Sequence, residues 1–276
     1  MSGGKSTIVN ALLGKKILPS SNRACTANII SVENYDAPDD DIWIGQLRSD
    51  GKVITRQFIA GNTLDDWNVD AATIQIWLTA KFCNVNRSIT LHDTPGTNFS
   101  QDRSHERITK EFLSQYPLDV ILFVINAEHS GTFDEKQLLT WIKKNVIDKR
   151  KTKILFLINK ADSLDPEHEN IFEHFNDTRR HLMRLGFDKP KLIALSARAA
   201  LLFRMVINNQ HITPSEAIAF ESYHQRFAHE EFVAYNATDI VIVDDIICSR
   251  SNLCRAVFGT GICELESILD QRISLE

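Results

Sequence analysis

From Lys5 to Leu13 the apolar residues Ile8, Val9, Leu12 and Leu13 recur at helical spacing, and Gly14 stands where a helix takes a left-handed cap. The pattern predicts a helix over 5–13. A polar segment follows. Then "IISVENY" predicts a strand, and "DIWIGQL" and "KVITRQF" flank "RSDG", the arrangement of two strands joined by a hairpin turn. "TLDDW" predicts a short helix starting at Thr63, and "TIQIWL" a further strand.

Beyond Ile89 short apolar runs alternate with long amphipathic stretches. "SITLHD", "DVILFVIN", "KILFLIN" and "KLIALS" are too continuously apolar for a sheet with one wet face, so they predict strands of a parallel sheet covered by helices on both faces. The helices between them are expected near Arg103–Gln115, Asp134–Val146, Asn170–Leu185 and Arg198–Asn208. Residues 209–276 read as the helical C-terminal portion of the same domain, with "PSEAIAFESYHQRFAHEEF" and "GICELESILDQ" helical and "TDIVIVDDII" undecided. No internal repeat or low-complexity linker divides the chain.

Composition narrows this little. With 276 residues, 43% hydrophobic and 24% charged, the chain is an ordinary globular protein with enough length for one large core. A net charge of -5 argues against broad binding to nucleic acid. Cys25, Cys83, Cys248, Cys254 and Cys263 form no C-x-x-C pair and sum to no even disulfide framework, which fits reduced thiols in a cytoplasm. No run approaches the roughly 18 apolar residues of a membrane span. His168 and His174 lack the spacing of a helical metal pair, and the basic run from Lys143 to Lys153 reads as solvent-facing charge.

Four short motifs carry chemistry. "GGKST" provides Gly3, Gly4, Lys5, Ser6 and Thr7, the second half of a phosphate-binding loop, directly before a helix whose N-terminus favours anions. Its Lys would reach the outer phosphates and its Ser hydroxyl a magnesium ion. "LHDTPGT" sets Asp93 and Gly96 after an apolar strand, where the Asp can hold Mg²⁺ through water and the Gly amide can approach a terminal phosphate. An ordinary Pro-Gly turn is the alternative there. "INKADS" places Asn159, Lys160 and Asp162 after the next strand but one; the Asp carboxylate can accept two hydrogen bonds from guanine, which adenine cannot supply. "LSARAA" puts Ser196 and Ala197 at a strand-to-helix junction whose backbone N–H can reach the guanine carbonyl. Each string alone has a bland reading as a turn or cap. Together, in this order and at strand ends, they place a ligand at the carboxyl edge of an α/β sheet.

The order "GGKS", threonine, "DTPG", "NKAD", "SA" resembles the P-loop GTPases, and "MSGGKSTIVNALLGKKILPSSNRACTANIISV" is most similar to the dynamin superfamily, in particular its bacterial dynamin-like branch. About 66 residues separate Thr26 from Asp93, longer than in small translation-type GTPases with the same motifs. The resemblance implies a P-loop GTPase fold that binds GTP with Mg²⁺ and yields GDP and phosphate. It implies that Ser2 stabilises charge on the phosphates, that Thr26 binds Mg²⁺ and positions the attacking water, and that catalysis rests on Ser2, Lys5, Thr26 and Gly96. Ser6, Thr26 and Asp93 would then form the metal set. It further implies homodimerisation through the nucleotide face, with membrane contact only through regions outside this chain.

Measured against that pattern, the loop's first Gly and the strand that delivers the loop have no counterpart in the sequence. The expectation is a single GTPase domain over 1–276, truncated at both ends, whose sheet lacks its first, central strand and carries a gap there. "TDIVIVDDII" is one candidate to fill that gap. A ribosome- or RNA-associated small GTPase, and a non-catalytic remnant with weak nucleotide binding, stay open as alternatives.

Overall fold

A computed structural model describes residues 3–19, 29–34, 44–49, 52–58, 75–95, 103–129, 131–164, 171–227, 240–243 and 246–271. Helix α1 (Lys5–Leu13) opens the chain between two left-handed glycines, Gly4 at φ 84° and Gly14 at φ 66°. Only a residue without Cβ adopts these angles without strain. Strands β1 (Ile30–Asn34), β2 (Ile44–Ser49), β3 (Lys52–Phe58), β4 (Gln75–Ala80) and β5 (Thr90–Asp93) follow, then α2 (Arg103–Gln115) and β6 (Val120–Asn126). Next come α3 (Phe133–Ile142), a π-helical turn over Lys143–Ile147 and a short last turn α4 (Asp148–Arg150). The remainder is β7 (Lys153–Asn159), α5 (Ile171–Arg184), β8 (Leu192–Leu195), α6 (Ala197–Ile207), α7 (Pro214–Phe227), β9 (Ile240–Val243), β10 (Ile246–Ser249), α8 (Arg250–Gly259) and α9 (Ile262–Asp270).

The strands form two main sheets. One has five strands in the order β3-β2-β4-β1-β5, with β1 parallel to β4 and antiparallel to β5. The other is the parallel trio β6-β7-β8, in register so that Asn126, Asn159 and Leu195 end at one level. The parallel trio is covered on both faces, as its apolar runs predict. Leu155 and Leu157 of β7 join a core with α1 and α6, while Phe156 between them packs with Leu139 and Ile142 of α3 and Leu182 of α5.

The hairpin of β2 and β3 pairs as the sequence implies, whereas the expected helix at Thr63 falls outside the described residues. "TDIVIVDDII" resolves into β9 and β10, an antiparallel pair bonded to neither main sheet. The C-terminal portion is therefore helical with an inserted hairpin. Helix α8 has no clear periodic pattern in the sequence, and among its described side chains Leu253, Ala256 and Val257 are buried.

Among the described residues β5 and β6 do not pair with each other, and each stands at the edge of its described sheet. A cleft of about 990 Å³ separates them, lined by both strands and by α1, α2 and α3.

Candidate functional site

The site begins at Gly4, whose backbone starts α1 and whose missing Cβ matters twice. A Cβ there would run into Asn159 Nδ2, and the positive φ already disfavours any L side chain. One turn of helix places Lys5, Ser6 and Thr7, all partly buried, at the N-terminus of α1, where unsatisfied amides and the helix dipole favour an anion.

Asp93 arrives from the end of β5. Ser6 Oγ donates a 2.6 Å hydrogen bond to Asp93 Oδ2, while Asp93 Oδ1 is buried and has no hydrogen-bond partner. Burial pushes the Asp93 carboxyl above its usual range, opposed by the Ser6 hydroxyl and the Lys5 charge. Burial in turn lowers the Lys5 amine, with Asp93 opposing. Two opposite charges thus share a desolvated pocket. The free carboxylate lone pairs beside a hydroxyl fit a hard divalent cation, which takes oxygen donors. Among the described residues no group of three or more His, Cys, Asp or Glu side chains could hold a metal.

Asn159 joins three elements at the end of β7. Its Nδ2 donates to the Gly3 carbonyl at 2.9 Å, and its Oδ1 accepts from the Ala197 amide at 3.1 Å. The phosphate-loop residues, the β7 edge and the start of α6 are locked together by one amide side chain. Lys160 sits at φ 63°, a left-handed conformation that is uncommon for a long side chain. Its ammonium lies 2.7 Å from Glu128 Oε2, in the short turn after β6, and that hydrogen bond holds the Glu128 carboxyl below its ordinary range. Asp162 lies in the short turn after Lys160 near Tyr223 of α7, whose phenol is pushed up first by burial and then by the Asp162 charge.

Ser196 and Ala197 lie beside this cluster, but their amides are engaged: Ser196 N–H donates to the Thr260 carbonyl at 2.9 Å and Ala197 N–H to Asn159. An amide of this junction would reach a base only by leaving one of those acceptors. Ser2, Thr26 and Gly96 lie outside the described residues.

Several supporting residues were not singled out from sequence. Asn10, fully buried on α1, donates to the Leu18 carbonyl and accepts from the Ile17 and Leu18 amides, fixing the chain as it leaves the helix. Asn34 holds the Val85 and Arg87 carbonyls and the Phe82 amide in the same way. Their signal is a single Asn inside an apolar run. Glu128 and Tyr223 carry no such signal, because only the tertiary fold brings them to Lys160 and Asp162.

The profile of the dynamin family matches residues 1–161, more than half of the chain. The chain belongs to the dynamin family. It is 29% identical over 235 residues to an uncharacterized protein in the xynA 3′ region of Caldicellulosiruptor sp. strain Rt8B.4, covering 83% of this chain and 54% of that one. It is 28% identical over 200 residues to a probable transmembrane GTPase, FZO-like and chloroplastic, of Arabidopsis thaliana, covering 72% of this chain and 18% of the relative. A bacterial dynamin-like protein of Nostoc punctiforme is 27% identical, with 59% of this chain and 24% of that one covered. The dynamin-family chain thus spans about half of the first relative and a smaller share of the others. Among solved structures, an oligomerised bacterial dynamin pair superposes with TM-score 0.49 at 18% identity, over 81% of this chain and 38% of that one. Among the described residues no helix is long and apolar enough to cross a membrane.

Proposed function

We propose that this chain binds GTP with Mg²⁺ at the N-terminus of α1 and hydrolyses it to GDP and phosphate. The observation that carries the reading is the pairing of Ser6 with Asp93, which leaves Asp93 Oδ1 buried and unpartnered beside Lys5. Ser6 and Asp93 would hold the ion, directly or through water, and Thr26 would complete the set. The ion supplies charge neutralisation on the phosphate oxygens.

The rest falls to the protein. Lys5 neutralises the outer phosphates, and the backbone N–H groups at Gly3, Gly4 and Ser6 cradle them. Ser2, Thr26 and the Gly96 amide order the attacking water and the terminal phosphate. Asp162 accepts from the guanine edge, while Lys160 lies over the base and Asn159 keeps this loop tied to Gly3. Ser196 and Ala197 close the base side. A homodimer through the nucleotide face would complete the site, and a reducing cytoplasm suits the cysteine pattern.

A second reading is favoured by the edges of β5 and β6 facing the cleft, which pair with no strand among the described residues: a chain that binds nucleotide weakly and does not turn it over. Calorimetric titration with a non-hydrolysable GTP analogue and its ATP counterpart, with and without Mg²⁺, separates the two. Micromolar, Mg²⁺-dependent binding of the guanine compound alone, followed by phosphate release from GTP, supports hydrolysis. Binding without turnover supports the second reading, and no binding by a folded chain overturns both.

A further inference from the structure

Beyond β6 the chain turns tightly through Ala127–His129, and this turn carries Glu128. Ala127 is buried and clusters with Ile158 of β7 and with Leu164, the residue that ends the turn after Lys160. The Glu128 amide donates to Asn126 Oδ1 at 3.1 Å, which fixes the turn on the strand end before it. Arg226 of α7 donates to the Leu164 carbonyl at 2.8 Å and holds the far end of the NKAD loop. Glu128 therefore stands on a braced turn packed against that loop.

Strands β6 and β7 pair in register up to Asn126 and Asn159, so Glu128 and Lys160 both lie just past the carboxyl edge of neighbouring strands. Lys160 leaves β7 at φ 63°, and its carbonyl accepts the Ser163 amide at 3.0 Å, closing the turn that carries Asp162. With its ammonium 2.7 Å from Glu128 Oε2, the methylene stem of Lys160 spans the ends of the two strands. The two side chains are 32% and 34% exposed. A lysine left alone at that exposure samples many rotamers, and freezing them on binding weakens affinity. The ion pair freezes them before a ligand arrives. A base laid on the stem would also shed water from the pair and strengthen it.

We propose that Glu128 is a positioning residue of the nucleotide site, holding the Lys160 ammonium at the rim so that the methylene stem lies fixed over one face of the guanine base. This role rests on the GTP reading above and adds to it a side chain from outside the four motifs. Glu128 touches neither the phosphates nor the base edge and acts through Lys160. The cover over the base is the same in the ground and transition states, so it raises affinity without changing turnover. Asp162, the other acid of the loop, lies near Tyr223 and is left to the guanine edge.

Calorimetric titration with a non-hydrolysable GTP analogue and Mg²⁺ tests this on the wild type, Glu128→Gln, Lys160→Met and the double variant. Glu128→Gln keeps the shape and removes the charge, while Lys160→Met keeps an apolar stem and removes the ammonium. Glu128→Gln should weaken binding about tenfold, and in the Lys160→Met background the same change should alter affinity by less than about twofold. Combined with Ser6→Ala on the phosphate side, the Glu128→Gln loss should persist in full, a separation that general damage to the site would not give. The melting temperature of the nucleotide-free protein should hold, because a partly exposed ion pair contributes little to folding. Undiminished binding by Glu128→Gln overturns the proposal, as does tighter binding, the mark of a carboxylate that competes with the base for Lys160. An equal loss in the Lys160→Met background overturns it too. A wild type that binds no guanine nucleotide overturns the GTP reading and this role together, whereas a wild type that binds beside an unaffected Glu128→Gln overturns this role alone. Should Glu128→Gln not fold, Glu128→Asp, with a carboxylate one methylene short of the ammonium, is titrated in its place with the same loss expected.

Discussion

Ser6 Oγ and Asp93 Oδ2 meet at 2.6 Å across 87 positions of sequence, joining the first turn of α1 to the end of β5. The second oxygen of the same carboxylate is buried without a partner. Asp93→Asn removes the charge that a cation would use and keeps the shape. The Mg²⁺-dependent part of guanine-nucleotide affinity should fall at least tenfold in calorimetry.

Asn159→Ala leaves the Gly3 carbonyl and the Ala197 amide without their partner. Two orphaned groups at about 1 kcal/mol or more each predict a loss of roughly 2–3 kcal/mol in urea unfolding. Nucleotide affinity should weaken as well, since Gly3 would no longer be tied to β7.

Gly261 precedes α9 at φ 79°, and a Cβ there would collide with the Ala194 carbonyl of the chain entering the end of β8. The obstacle is backbone and cannot swing away. Gly261→Ala should therefore cost more than about 3 kcal/mol or abolish soluble expression, whereas Gly131→Ala, with nothing near its Cβ, should cost only the strain of its own positive φ. Denaturation of the two variants side by side is the check.

Arg204 and Glu266 are both buried and meet at 2.7 Å, with Arg204 also donating to the Ala11 carbonyl and Asn84 to Glu266. This network ties α1 to α6 and α9. Arg204→Met alone should destabilise by about 3–5 kcal/mol by stranding the Glu266 charge, and adding Glu266→Met should recover much of the loss. A double-mutant cycle in urea measures both.

Burial pushes the Glu135 carboxyl on α3 to about 7, against a hydrogen bond from the Gly131 backbone that pulls it down. A raised carboxyl binds its proton more tightly in the folded chain, so its contribution is full below about 4.5 and lost as pH rises through about 7. Partial exposure discounts the effect to about 1 kcal/mol. Glu135→Gln should flatten that slope and gain stability at pH 8, read from melting temperatures across pH.

How far the sequence alone reached is clearest at particular positions. The helix of Lys5–Leu13 with its Gly14 cap, the helix of Arg103–Gln115 and the apolar strands ending at Asp93, Asn126 and Asn159 were legible because their signals are local: periodicity, caps and runs of buried residues. The motifs GGKS, DTPG and NKAD were legible for the same reason. Tertiary structure alone decided that Asp93 keeps one oxygen unpartnered, that Asn159 spends both ends of its amide on Gly3 and Ala197, and that Lys160 is held by Glu128. It also decided that "TDIVIVDDII" pairs as an antiparallel hairpin of its own rather than joining either main sheet. Those outcomes depend on which long-range partners compete for each polar group, and a local pattern of apolar and polar residues does not record that competition.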